Sequence, residues 1–128
     1  HSLFAMRAAS DISPPYGGVL MNSEGGQGAS GTYGVPARWC GYHGRRKLQP
    51  GVVEGIAIMN HPRNFDGDCP WFTRDYGHLS PSPFNFLEKP WILEKGQHLE
   101  LNYRVVLHAG TPQEAELDRI YQKWVDAT

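Results

Sequence analysis

The chain has 128 residues, with 12 Lys and Arg against 13 Asp and Glu and a formal net charge of -1. That balance gives no general attraction to a nucleic-acid backbone or an anionic membrane, and no apolar run approaches the roughly 18 to 20 residues that cross a bilayer. Fifteen Gly, ten Pro and only 20% charged residues describe a chain that turns often, and the length suits one hydrophobic core.

In chain order, residues 2–8 (SLFAMRA) and 17–21 (GGVLM) read as strands, separated by a turn with two prolines and placed as neighbours. Because the chain starts at His1 inside a strand-like run, we expect it to be a carboxyl-terminal portion of a longer protein, 1–128 forming one sandwich domain. Residues 22–34 are glycine-rich and read as a long adaptable loop, with Asn22 and Glu24 at its mouth. They contain no G-x-x-x-x-G-K-[ST], so a phosphate-cradling role fails. A strand is predicted over 35–42, then a turn over HGRRKLQPG, whose basic run Arg45-Arg46-Lys47 reads as solvated. Val52 to Met59 is apolar and rich in β-branched residues, the pattern of a strand buried on both faces.

That strand delivers Asn60 and His61 to the richest stretch of the chain, residues 60–86, dense in His, Arg, Asp, Asn and aromatic residues. Loops of that composition on a rigid sheet are where binding and catalysis concentrate. Proline after His61 fixes the backbone and would aim the imidazole, either as a functional group or as a hydrogen-bonded strand end. Arg74, Asp75 and Tyr76 read either as a local ion pair or as a means of holding an oxyanion and moving a proton. Trp71, by its polar neighbours, is the tryptophan expected to floor a cleft, whereas Trp39, Trp91 and Trp124 read as packing. Glu24, Asp66, Asp68 and Asp75 are candidate paired carboxylates for glycoside hydrolysis.

The clearest strand is 98–108, where Leu99, Leu101, Tyr103, Val105 and Leu107 alternate with polar residues, predicting one core face. Thr111-Pro112-Gln113-Glu114 forms a capping box, and Leu117, Ile120, Tyr121 and Trp124 follow at helical spacing, so a helix is expected over about 112–126. Cys40 and Cys69 permit one bridge, though two cysteines also suit a reduced protein. Six His show no metal-ligand spacing. We expect no metal and no cofactor, while noting that His43, His61 and His108 are scattered residues that folding can bring together.

FAMRA, GGVLMNSEGG, the RWC triplet at 38–40, GIAIMNHPRNF, WFTRDYG and LNYRVVLHAG occur in that order. Together they resemble the carboxyl-terminal half of a bacterial family labelled the PmoA family, or methane-oxygenase-like. The label implies a subunit of a copper membrane monooxygenase, which a chain without a membrane segment or copper spacing does not fit. The resemblance instead implies an all-β antiparallel two-sheet sandwich of mutarotase-like type, exported from the cytoplasm and directed at carbohydrate. It carries over Asn22, Ser23, Gly25, Trp39, Cys40, His61, Pro62, Asn64, Trp71, Arg74, Tyr76 and Gly77. Relatives often have His where this chain has Phe72, and Asn-Pro-Phe where it has Ser82-Pro83-Phe84.

Three functions follow. The first is a carbohydrate-active lyase, isomerase or hydrolase with His61, Arg74 and Tyr76 catalytic and Asn22, Glu24, Arg38, Asn64, Trp71 and Asp75 binding the sugar. The second is a glycan-binding module using the same groups without a tuned acid or base. The third is an interaction domain whose exposed strand edge pairs with a missing amino-terminal half or another chain.

Overall fold

The computed structural model describes residues 3–65 and 67–128; Ser2 of the first predicted strand and the candidate carboxylate Asp66 lie outside them. The fold is mostly β, in two antiparallel sheets with a carboxyl-terminal helix. Strands β1 (Met6–Arg7), β5 (Trp71–Thr73) and β6 (His78–Pro81) form a small sheet in the order β1-β6-β5. Strands β2 (Val19–Asn22), β3 (Trp39–Arg46), β4 (Gln49–Asn60) and β7 (Tyr103–Ala109) form a large one in that order.

Alternation sorts the side chains of the large sheet onto two covered faces. Leu20, Cys40, Tyr42 and Ile58 face the small sheet and pack with Ala37, Cys69, Trp71 and Leu79. Met21, Trp39, Ala57 and Met59 face the other way and pack under helix α2 (Leu117–Asp126) through Leu117, Tyr121 and Trp124. The domain is therefore three layers deep: small sheet, large sheet, helix. Cys40 and Cys69 both lie buried between the sheets as thiols, and burial pushes the Cys40 thiol up.

Several expectations change. The first predicted strand shrinks to two residues and pairs with β6, so β1 and β2 belong to different sheets. Two single 3-10 turns, Ser10–Ile12 and Pro14–Tyr16, carry the chain from one sheet to the other. The glycine-rich stretch contains a short helix, α1 (Gly28–Thr32). The predicted turn HGRRKLQPG is mostly strand: β3 and β4 pair down to Arg46 and Gln49, leaving only Lys47 and Leu48 as the hairpin loop. Asp11 fixes this end, accepting from Arg46 Nε at 3.0 Å and from the Lys47 N–H at 2.8 Å. β4 is buried on both faces only in its second half, from Ala57 to Asn60.

The capping box forms reciprocally, with Thr111 Oγ1 accepting the Glu114 N–H and Glu114 Oε1 accepting the Thr111 N–H, each at 3.1 Å. Yet α2 begins only at Leu117, because Glu116 takes a left-handed conformation at φ 55°, which interrupts the helix. β7 is shorter than predicted and only half covered. Val105 and Leu107 face the small sheet's side but are 48% and 78% exposed, since that three-stranded sheet does not extend over the edge strand.

Gly18 stands where the chain crosses between sheets. A Cβ there would lie 1.8 Å from the Ile12 carbonyl oxygen and 2.8 Å from the Ser13 nitrogen, backbone atoms that cannot swing aside. Gly18→Ala is expected to cost about 1–3 kcal/mol through overpacking. Gly51→Ala, with nothing within 4 Å, should leave the urea midpoint nearly unmoved, and equal midpoints for the two variants would contradict this reading.

Candidate functional site

The predicted site residues separate into two corners and a structural remainder. At the first corner, the β4–β7 ladder ends at the pair Asn60 and Tyr103, and Asn64 takes over as a side-chain substitute for a strand partner. Its Oδ1 accepts the Asn102 N–H at 2.7 Å, and its Nδ2 donates to the Asn102 carbonyl and to Asn60 Oδ1, both at 2.8 Å. His61 follows, buried, with its ring edge-on to Trp124 at 5.0 Å. Its Nδ1 accepts the Arg63 N–H at 3.1 Å, so the proton sits on Nε2, which donates to Thr128 Oγ1 at 2.5 Å. The threonine hydroxyl in turn donates to the Trp124 or Val125 carbonyl. Both imidazole nitrogens are occupied, and no lone pair is left for a general base. A pocket of about 250 Å³ opens here, lined by His61, Arg63, Glu100, Asn102, Trp124 and Thr128 among others.

The second corner is the turn between β5 and β6 on the outer face of the small sheet. Trp71 and Thr73 point into the protein, so Phe72 points out. The Arg74 guanidinium lies 4.3 Å from the Phe72 ring centroid and 5.2 Å from that of Tyr33. Tyr33 meets Phe72 and Phe86 edge-on, each at 5.3 Å, and Phe72 meets His78 at 5.4 Å. Tyr76 is exposed beside Arg7, whose guanidinium is 5.6 Å from its ring centre. Asp75 Oδ1 accepts the Ala29 N–H at 2.8 Å, tying the turn to α1. Tyr42, from the core, sets its hydroxyl against the carbonyls of Arg74 and His78, which share its single proton, and so holds both ends of the turn.

The remaining predicted residues serve the fold. Trp71 is fully buried, with Nε1 donating to the Ala37 carbonyl at 3.0 Å, so it cannot floor a cleft. Asn22 is buried, and its Oδ1 accepts the Glu24 and Gly26 N–H groups. Glu24 is exposed on that turn. Arg38 pairs with Asp118 at 3.4 Å and lies over Tyr121, anchoring α2. His61 thus sits on the helix side of the large sheet while Arg74 and Tyr76 lie on the far face of the small sheet, and the proposed catalytic trio is not brought together. The structure adds Arg7, Tyr33, Phe72, His78 and Phe86 to the second corner. The available signal for two of them was the two-residue spacing of Phe72, Arg74, Tyr76 and His78.

His43, His61 and His108 are all held below the ordinary imidazole value. Burial is the main cause in each, reinforced by His108 at His43 and by Arg63 at His61 and partly offset by backbone hydrogen bonds at His108. The unfolded chain therefore binds protons that the folded protein refuses. Their stabilising contribution is complete above an unfolded value of about 6.5 and declines as pH falls through it. Urea midpoints in chelator-treated buffer are expected to drop between pH 7.5 and 5.5; a flat profile would contradict the assignment.

The fold and surface define a β-sandwich backed by one helix, with an aromatic and basic patch on its outer sheet. The chain belongs to a family of unknown function, DUF6807, which it matches over residues 1–122. Nothing in that match links it to a methane-oxygenase family, so the motif resemblance reduces to membership of an uncharacterised family. No curated protein and no solved structure matches the chain.

Proposed function

We propose that the protein is a carbohydrate-binding module that holds an acidic sugar on the outer face of its small sheet. The observation that carries this reading is the Arg74 guanidinium lying over the rings of Phe72 and Tyr33, with Tyr76, His78 and Arg7 on the same outer face. Aromatic surface suits the C–H faces of a pyranose, and a guanidinium ordered by stacking can present its planar donors to a uronate carboxylate. The local charge is positive, because two arginines face one carboxylate, Asp75, that already accepts a backbone bond. Binding rather than turnover is favoured by the separation of His61 from Arg74 and Tyr76 and by the occupied nitrogens of His61. An extracytoplasmic location accompanies this reading.

A thermal-shift and product screen against neutral, uronic and keto-sugar oligosaccharides tests it. Stabilisation by uronic oligosaccharides, weakened by salt and without new product, is expected. A new product would establish an enzyme, and silence across the panel would overturn the carbohydrate reading. One observation favours a second reading, an interaction domain: Val105 and Leu107 are exposed on a strand with an open edge. A solution mass above that of one chain would support it.

A further inference from the structure

His43 on β3, Gly55 on β4 and His108 on β7 stand in one row across the large sheet. Their side chains belong to the face that carries α2 farther along, since Ala57 and Met59 follow Gly55 at two-residue steps. Gly55 contributes no side chain, and the His108 ring occupies the space. Its Cε1 and Nε2 lie 2.3 and 2.4 Å from where a Cβ on Gly55 would stand, and the His43 Cβ lies 3.0 Å from the same point. The glycine between them is what lets the His108 ring lean across β4 toward His43.

The hydrogen bonds define which nitrogens are available. His108 Nδ1 lies 3.0 Å from the Gly110 carbonyl, which can only accept, so Nδ1 carries the proton and Nε2 presents its lone pair toward the gap. His43 is only 8% exposed, and its Nδ1 is buried without a hydrogen-bond partner among the described residues. Buried polar atoms in native proteins are nearly always satisfied, so an orphan of this kind calls for a ligand from outside the chain. A depression of about 380 Å³, lined by Tyr16, His43, Arg45, Val53 and Thr111 among others, lies beside His43. The Arg45 guanidinium is held at the Pro50 carbonyl and the Glu114 carboxylate at the Thr111 N–H.

We propose that His43 and His108 form a two-histidine site for a divalent transition cation of the Zn²⁺ class, bound through His43 Nδ1 and His108 Nε2. Imidazole is a preferred donor for such ions, and a ligating histidine characteristically donates its other ring N–H to a carbonyl, as His108 does. Among the described residues no group of three or more His, Cys, Asp or Glu is placed to hold a metal. Water therefore completes the coordination, and the affinity is moderate. Burial keeps both rings neutral near pH 7, the form that binds metal. The site lies on the helix side of the large sheet and is independent of the sugar-binding face.

The test is a long-range ¹H–¹⁵N spectrum of the imidazoles during a ZnCl₂ titration, which reads each histidine separately. His43 Nδ1 and His108 Nε2 are expected to shift together on a single isotherm. His108→Ala, at the edge of the sheet, should retain the native amide spectrum and weaken the His43 response at least about tenfold. The proposal is overturned if both nitrogens stay unmoved at millimolar Zn²⁺, if only other histidines respond, or if the His43 response survives loss of His108. The wild-type titration decides the matter even where a variant fails to fold.

Discussion

Trp71→Ala is expected to destabilise the folded protein by about 3–5 kcal/mol, as the loss of a fully buried tryptophan usually does. The side chain is 0% exposed and sits in the cluster that joins the two sheets, against Ala37, Cys69 and Leu79. Removing it opens a cavity in that layer and leaves the Ala37 carbonyl without the indole N–H. The same residue also receives the chain from α1, its carbonyl accepting the Gly34 N–H at 2.8 Å. Against a total of ~5–15 kcal/mol for a domain, such a loss brings the protein to the edge of unfolding at 37 °C. Urea denaturation checks it. A variant that kept its stability but lost ligand binding would return Trp71 to the role of sugar platform.

Arg74→Ala carries the second large effect, on binding rather than stability. A guanidinium that meets a carboxylate contributes about 1.5–3 kcal/mol through charge-assisted hydrogen bonds, which is roughly ten- to hundredfold in affinity. The side chain is part-exposed and, among the described residues, donates to the neighbouring Thr73 carbonyl, so the fold should change little. Calorimetric titration with a uronic oligosaccharide is expected to show the full loss with Arg74→Ala and a partial loss with Arg74→Lys, which keeps the charge but not the planar stacking. Unchanged affinity in both would remove Arg74 from the site.

Much of the fold was legible because alternation and turn chemistry are local. The β4 run, the capping box and the spacing of Leu117, Tyr121 and Trp124 all depend on neighbours within a few residues, and each appears in the structure. What failed depended on distant partners. Val105 and Leu107 alternate correctly, yet period alone cannot say whether a second layer covers them. The turn over residues 43–51 looked solvated, but Asp11, more than thirty residues away, gathers Arg46 and Lys47 and lets the strands continue.

The site was less legible for the same reason. The polar neighbours of Trp71 point to a loop, whereas Trp71-Phe72-Thr73 is a strand that turns the tryptophan inward and the phenylalanine outward. His61 and Arg74 are thirteen positions apart in the sequence but lie on opposite layers. Tyr33 and Phe86 reach the Arg74 corner from segments about forty residues before it and twelve after it, a convergence that only the three-dimensional pairing of β5 with the region of α1 creates.

The most direct measurement is amide chemical-shift mapping of the protein with a uronic-acid oligosaccharide. Perturbations are expected at Arg7, Tyr33, Phe72, Arg74 to His78 and Phe86, on the outer face of the small sheet. Perturbations centred instead on His61, Arg63, Glu100 and Thr128 would place the ligand on the opposite layer and contradict it.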